Sequence, residues 1–489
     1  MLFNSHIFML LFLPLLLAGW YFLNWKKKFQ LAQGYLIGMS LWFYAYANLQ
    51  YLWLLLFSCL IGWLLSCLPE KIFSEKGKKV LTGVGCVFHL GLLGYFKYSN
   101  FFLENLNTVF HTDFPMLQIL LPVGISFYTF QQLAYLIDRC RGDAPRDSFF
   151  DYLTFMVYFP QLLQGPILLR SEFMGQLKEP ERRRFHAERF SEGIQFFVFG
   201  LAKKVLLADT LAKAVNYGYS NVSMLDSISA LLLAVGYLTE LYFDFSGYCD
   251  MAVGLGKMIG LEVAENFDAP FHSASVKEFW RRWHMTLGRF FTRYVYIPLG
   301  GNRRGKMRTL CNVMIVMLLS GLWHGAAWTF VLWGFLHGVG MIWDNLEHPH
   351  FPKKWMRQAA TFAYVCMTFV FFRAESIAQG VDVLKSIVSL KWNGFVFQMA
   401  SALDMTECYM ITKALSMKLP GLLSWFWLGI FVVLIAICFR VLSGEKVSGV
   451  VALKRQKGYG RLYPVLLAVL FTWSMISMTG VSEYLYFSF

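Results

Sequence analysis

Apolar runs long enough to cross a bilayer recur from one end of this chain to the other, and that recurrence leaves few folds open. A helix needs roughly 20 apolar residues to span about 30 Å of hydrocarbon. In that medium every backbone N–H and C=O must be satisfied within the protein. Candidate spans fall near 7–24, 31–47, 51–68, 80–97, 117–137, 190–207, 227–245, 310–343, 357–372, 421–439 and 463–480. The composition agrees: 57% of residues are hydrophobic and 15% charged, against roughly 45–50% and 25% in soluble domains. The expected fold is therefore an all-α polytopic membrane protein, one integral membrane domain over 1–489. N-terminal spans would occupy 7–115, a core 117–345 and further spans 357–489.

The formal charge of +14 is not a nucleic-acid signature, because the lysines and arginines sit in short clusters between apolar runs, as in cytoplasmic loops. No nucleic-acid partner is expected; membrane lipid is. The run 7–22 is flanked by Asn4 and His6 before it and by Lys26, Lys27 and Lys28 after it, which predicts a retained first span with its N-terminus outside. Nine cysteines without C-x-x-C spacing read as inert core thiols.

Two runs do not fit a simple crossing. The stretch 150–169 has basic loops at both ends and is interrupted by Pro160, Gln161, Gln164, Gly165 and Pro166, so it is expected to enter and return as a re-entrant hairpin covered by protein. In 310–343, Gly321, His324 and Gly325 divide the apolar stretch into two arms. Between Phe245 and Arg308 the chain is too charged to span and is placed on the cytoplasmic face. Within it, 276–296 reads as one amphipathic helix, with Trp280, Trp283, Leu287, Phe291 and Tyr294 on one face and Arg282, Arg289 and Arg293 opposite.

A polar group inside an apolar run is costly and commonly functional, which singles out His324 in LLSGLWHGAAWTF. Gly321 and Gly325 beside it suit close helix packing or room for a substrate. A neutral imidazole with a pKa of about 6.5 can take a proton from a hydroxyl. Acyl transfer from a thioester could use that directly, and no G-x-S-x-G elbow offers another nucleophile. His284 is the second candidate, catalytic or packed among tryptophans, while His337 reads as structural. His348 and His350 flank a proline and are too few for a metal site; no metal and no bound cofactor are expected. Asp244, Gln131, Gln132, Gln161, Gln164 and Arg373 are further polar residues in apolar surroundings, more suited to holding the fold than to catalysis. Trp280, Trp283, Trp323, Asp244, Gln131 and Gln164 are the candidates to line a substrate path.

The blocks LPVGISFYTFQ (121–131), YFPQLLQGPI (158–167), FDFSGYCDMAVG (243–254), NFDAPFHSASVKEFWRRWHMTLGRFFTRYVYIPLGGNR (266–303), LSGLWHGAAWTFVLWGFLHG (319–338) and FFRA (371–374) resemble the membrane-bound O-acyltransferase family, in particular its bacterial branch of alginate O-acetyltransferase-like proteins. The resemblance covers most of the chain, and the succession FWRRWH then LWHGA is its most specific part. It implies a multi-helix bundle around a transmembrane tunnel in a bacterial cytoplasmic membrane, with His324 at the family's essential histidine position and His284 at its second. It also implies an acyl donor from the cytoplasm, acetyl-CoA or an acyl carrier protein thioester. A separate esterase-like partner would receive the acetyl group outside and modify a polysaccharide. One departure stands out: Thr292-Arg293 precedes Tyr294 where the branch has Arg-Asp, so any ion pair made by that aspartate must be rewired.

Three other readings stay open, one of acyl transfer and two without an enzyme. D-alanyl transfer to teichoic acid shares the architecture, although IPLGGNR favours the alginate-like branch. Broken apolar segments with buried polar residues also describe secondary transporters, but no matching pair of broken helices appears in the two halves. A passive scaffold of an export complex would need neither histidine.

Overall fold

The computed structural model describes residues 1–67, 75–346, 353–442, 446–457, 460, 462–478 and 485. His348 and His350 lie outside these. The described residues form helices joined by loops, with no strand among them. Among the described residues six helices are long and apolar enough to cross a membrane, and the chain is a multi-pass membrane protein.

In chain order the helices are α1 (Phe8–Trp25), α2 (Phe29–Cys67), α3 (Lys76–Phe110) and α4 (Ile125–Arg141), then α5 (Phe149–Val157), α6 (Phe159–Leu162) and α7 (Arg170–Leu177). A long helix α8 covers 187–220 and α9 covers Ser227–Ile259. There follow α10 (Val276–Arg282), α11 (Met285–Phe291), α12 (Lys306–His324), α13 (Trp328–Leu346), α14 (Lys354–Arg373), α15 (Ile377–Val388), α16 (Phe395–Ser401), α17 (Pro420–Leu442) and α18 (Leu462–Ser477), with two further helices at Tyr409–Lys418 and Val447–Lys457.

Several boundaries differ from the sequence expectation. The two runs 31–47 and 51–68 are one helix, α2, of 39 residues. Gln50 adds polarity there without breaking a helix as proline would. The run expected over 117–137 becomes helical only at Ile125. Pro122 removes an amide donor, and Gly124 takes φ +80°, where a Cβ would also sit 2.6 Å from the Leu162 carbonyl oxygen. Helix α9 does not stop at 245 but continues to Ile259. Two of its charges, at and beyond that point, are paired rather than solvated: Asp244 with Lys204, and Lys257 with Glu192 at 3.0 Å. Consistently, 78% of the α9 span is buried against 17% of α3, whose apolar surface is left for lipid.

The chain forms two compact units interleaved in sequence. The first comprises Met1–Val198, Tyr248–Asn266 and Thr286–Pro298, the second Phe199–Gly247, Phe267–Met285 and Leu299–Phe489. In the first unit Phe3, Phe8, Phe12, Phe43 and Phe159 make an aromatic core. The interrupted run near 150–169 is divided at Tyr158, whose ψ of 108° leaves the helical region, and residues 154–169 are all buried. Gln161 returns a side-chain N–H to the Phe155 carbonyl at 2.5 Å, satisfying one of the acceptors that the break releases. Arg293, which stands where the resemblance leads one to expect aspartate, binds Asp138 at 3.0 Å and Asp143 at 2.9 Å. The Tyr294 hydroxyl donates to the other Asp138 oxygen at 2.9 Å. The acid at this locus is thus on α4 and the base at 293.

The expected single helix 276–296 is two helices. Ser275 caps α10 by accepting the Glu278 amide, and the chain leaves the helical region at Trp283 (ψ 129°) and His284 (φ +46°) before α11 begins. A left-handed backbone on a residue with a Cβ is uncommon and stores of order 1–3 kcal/mol. Amphipathic spacing alone could not reveal it.

Candidate active site

In the second unit α12 and α13 fold back on one another as a helical hairpin. Gly321 and Gly334 make that approach possible: a Cβ on Gly321 would lie 2.3 Å from the Phe330 carbonyl oxygen, and one on Gly334 2.5 Å from that of Met317. A Cβ on Gly325 would meet the Phe330 ring at 2.1 Å. Of the two roles open to these glycines, the structure fills the space with protein. His324 is the last residue of α12, 3% exposed, at the hairpin's bend.

Aromatic rings wall in His324. The ring centroids of Trp323, Phe372 and Trp333 lie at 4.9, 5.1 and 5.2 Å. The ring of His284 lies at 6.5 Å. His284 is 1% exposed, packs edge-on to Phe245 at 4.8 Å and lies 6.0 Å from Trp323. Burial lowers its pKa to about 3, so its imidazole is neutral at physiological pH and carries one donor and one acceptor nitrogen. One histidine at a helix end and one in an interhelical break thus share one aromatic enclosure, with Trp323 against both.

The other histidine of the hairpin is engaged differently. The Trp280 indole N–H donates to His337 Nδ1 at 3.2 Å. An indole nitrogen can only donate, so Nδ1 is the acceptor and the ring hydrogen is on Nε2. Nε2 meets the Thr368 hydroxyl at 2.9 Å, and that hydroxyl passes its own hydrogen to the Val365 carbonyl at 2.8 Å. Both nitrogens of His337 are therefore spent on tying α10, α13 and α14 together, and Trp280 is one of the ties. Trp283 is equally structural in its contacts: it is 1% exposed and packed on Phe267, Phe279 and Phe369 at 5.1–5.5 Å.

Asp244 lies in the second unit beside a cavity of about 550 Å3. Its Oδ1 is 2.5 Å from Lys204 Nζ, and its Oδ2 accepts the Leu485 amide at 3.1 Å. Phe330 and Phe372 line the same cavity, and Phe372 is one of the rings against His324. The cavity also holds Lys204, Asp209 and Glu240, which the sequence reading passed over. A usable signal existed: Lys204 and Glu240 interrupt apolar runs as Asp244 does, and Glu240 lies one helical turn before it. Gln131 and Gln164 belong to the first unit, both 1% exposed. Among the described residues, no group of three His, Cys, Asp or Glu side chains could hold a metal ion.

Residues 142–379 match the membrane-bound O-acyltransferase family. The chain is 35% identical to a peptidoglycan O-acetyltransferase of Helicobacter pylori over 80% of each sequence. It is 39% identical to the probable alginate O-acetylase AlgI of Azotobacter vinelandii, over 77% of this chain and 76% of that one. A teichoic acid D-alanyltransferase of Bacillus subtilis is 27% identical over 52% of this chain and 69% of its own.

Proposed function

The chain belongs to the membrane-bound O-acyltransferase family, and from that premise we propose that it transfers acetyl from a thioester donor to an alcohol, supplying the O-acetylation of an extracytoplasmic polysaccharide. It is an O-acyltransferase; the acetyl group, the donor and the acceptor are the proposal. Acetyl is favoured over D-alanyl because the O-acetylating relatives align over 77–80% of the chain, the D-alanyl transferase over 52%. The donor is acetyl-CoA or an acyl carrier protein thioester from the cytoplasm, and an esterase-like partner outside a bacterial cytoplasmic membrane carries the group onward.

The observation that carries the mechanism is the shared aromatic enclosure of His324 and His284, 6.5 Å apart and both buried. His324 takes the proton of the acceptor hydroxyl as the oxygen attacks the thioester carbonyl carbon. A C–O bond forms, the C–S bond breaks, and the leaving thiolate recovers the proton from His324. His284, neutral, donates its ring N–H to the carbonyl oxygen as negative charge builds there. Donors aimed at a developing oxyanion in a water-poor site are worth about 2.7–4 kcal/mol each, and general-base help contributes about 10²–10⁴-fold.

The test is transfer of labelled acetyl by protein purified into lipid nanodiscs, with thermal unfolding followed in parallel. His324→Ala should lose at least 100-fold, within the range expected for a general base, while unfolding near the unaltered temperature. Undiminished transfer by a folded His324→Ala protein would falsify the assignment.

A further inference from the structure

The cavity beside Phe330 and Phe372 carries more charge than the fold needs. Five ionisable side chains meet there besides the exposed Glu375, namely Lys204, Asp209, Glu240, Asp244 and Arg373, on helices that are otherwise apolar, where charge is costly and tends to mark substrate paths. Four of them have partners that account for them. Lys204 bridges Asp209 at 2.8 Å and Asp244 at 2.5 Å, and the second Asp244 oxygen takes the Leu485 amide. Arg373 donates to Asn216 at 3.0 Å and lies over the Tyr219 ring at 5.1 Å. Glu240 is the exception. It is 2% exposed, it lines the cavity, and its Oε2 has no hydrogen-bond partner among the described residues. A buried carboxyl oxygen without a donor sacrifices its hydration for nothing in the free protein, unless a ligand supplies the donor.

We propose that Glu240 is a positioning residue for the acyl acceptor, and that it selects alcohols bearing a second hydrogen-bond donor next to the hydroxyl that reacts. The inference rests on the acyl-transfer reading above. A single hydroxyl has one hydrogen, and His324 must receive it, so the group held by Glu240 is a neighbouring O–H or N–H of the same molecule. A 1,2-diol of a sugar ring and a hydroxy-amide of a peptide share that chemistry. Glu240 makes and breaks no covalent bond; it holds the acceptor at the end of the cavity lined by Phe372, the ring that packs on His324 at 5.1 Å.

The experiment compares three small acceptors in nanodisc-embedded protein: methyl glucoside for the diol, N-acetylserinamide for the hydroxy-amide, and 1-propanol, which has no second donor. The expected result is a preference of at least tenfold in kcat/KM for one of the first two over propanol, and the one preferred identifies the source. Glu240→Ala should bring that ratio close to one through KM, while Glu240→Gln, which keeps an acceptor oxygen, retains most of it. A merely structural Glu240 would lower transfer to all three alike, and that outcome, or a ratio indifferent to Glu240→Ala, overturns the proposal. No transfer to any alcohol by the unaltered protein counts instead against the acyl-transfer reading itself.

Discussion

His284 and His324 stand 6.5 Å apart, ring centroid to ring centroid, with Trp323 packed on both. One is the terminal residue of α12, and the other occupies a left-handed break between α10 and α11. The break turns a residue that would otherwise ride on a helix face into the wall of the pocket. Backbone strain and imidazole chemistry at position 284 can be separated by substitution. His284→Gly should be more stable than His284→Ala by about 1 kcal/mol, since glycine adopts positive φ without penalty. Both should lose transfer to a similar extent, because neither offers a ring N–H. Chemical denaturation gives the first comparison and single-turnover kinetics the second; activity that tracked stability would remove His284 from the chemistry.

The hairpin glycines hold His324 in place by what they lack. Gly321→Ala puts a methyl group 2.3 Å from the Phe330 carbonyl oxygen, and α12 and α13 must separate. Overpacking of this kind usually costs about 1–3 kcal/mol. The unfolding temperature should fall and transfer should fall further than stability explains, because positional errors of about 1 Å can cost 10²-fold. Gly421→Ala, where nothing lies within 4 Å, is the matched control and should change neither.

Lys204, buried, neutralises two carboxylates, Asp209 and Asp244. Lys204→Met leaves Asp244 buried without its cation, and breaking a buried pair from one side typically costs about 3–5 kcal/mol. Adding Asp244→Leu to that variant should recover a large part of the loss. Thermal shift of the two variants against the unaltered protein measures it; a double variant no better than the single one would mean that Asp244 is not the group stranded.

Asp226 caps α9 and accepts the Ser229 hydroxyl and amide and the Asn393 and Gly394 amides. Burial by itself would raise its pKa, but these hydrogen bonds hold the carboxyl below its ordinary value. Because the folded pKa is depressed, the stability it contributes is complete above the unfolded value of roughly 3.9 and is lost as pH falls through the lower folded value. Asp226→Asn should therefore be destabilised near neutrality, yet its deficit should shrink in acid as the unaltered protein loses its own advantage. Denaturant midpoints measured from pH 7 down to pH 3 would reveal the convergence.

Much of this protein is written locally. Spans, the bend after His324 and the interruption within 150–169 follow from the length of apolar runs and from Gly and Pro within them, because a bilayer permits few backbone arrangements. Both pocket histidines were also visible as polar residues in apolar surroundings. Other features depend on partners far away in sequence. Helix α9 runs on to Ile259 because Lys204 and Glu192 answer its charges, and the amphipathic run 276–296 breaks at His284, which no periodicity records. His337 reads as structural from its place near the far end of its apolar stretch, but what it ties together, Trp280 and Thr368 at its two nitrogens, comes only from the tertiary structure. Sequence thus determined which residues leave water, since transfer from water is a property of each run by itself. Tertiary structure decided which of those buried polar groups are satisfied and which, like Glu240, are kept waiting for a ligand, since a hydrogen bond needs its partner within about 3 Å.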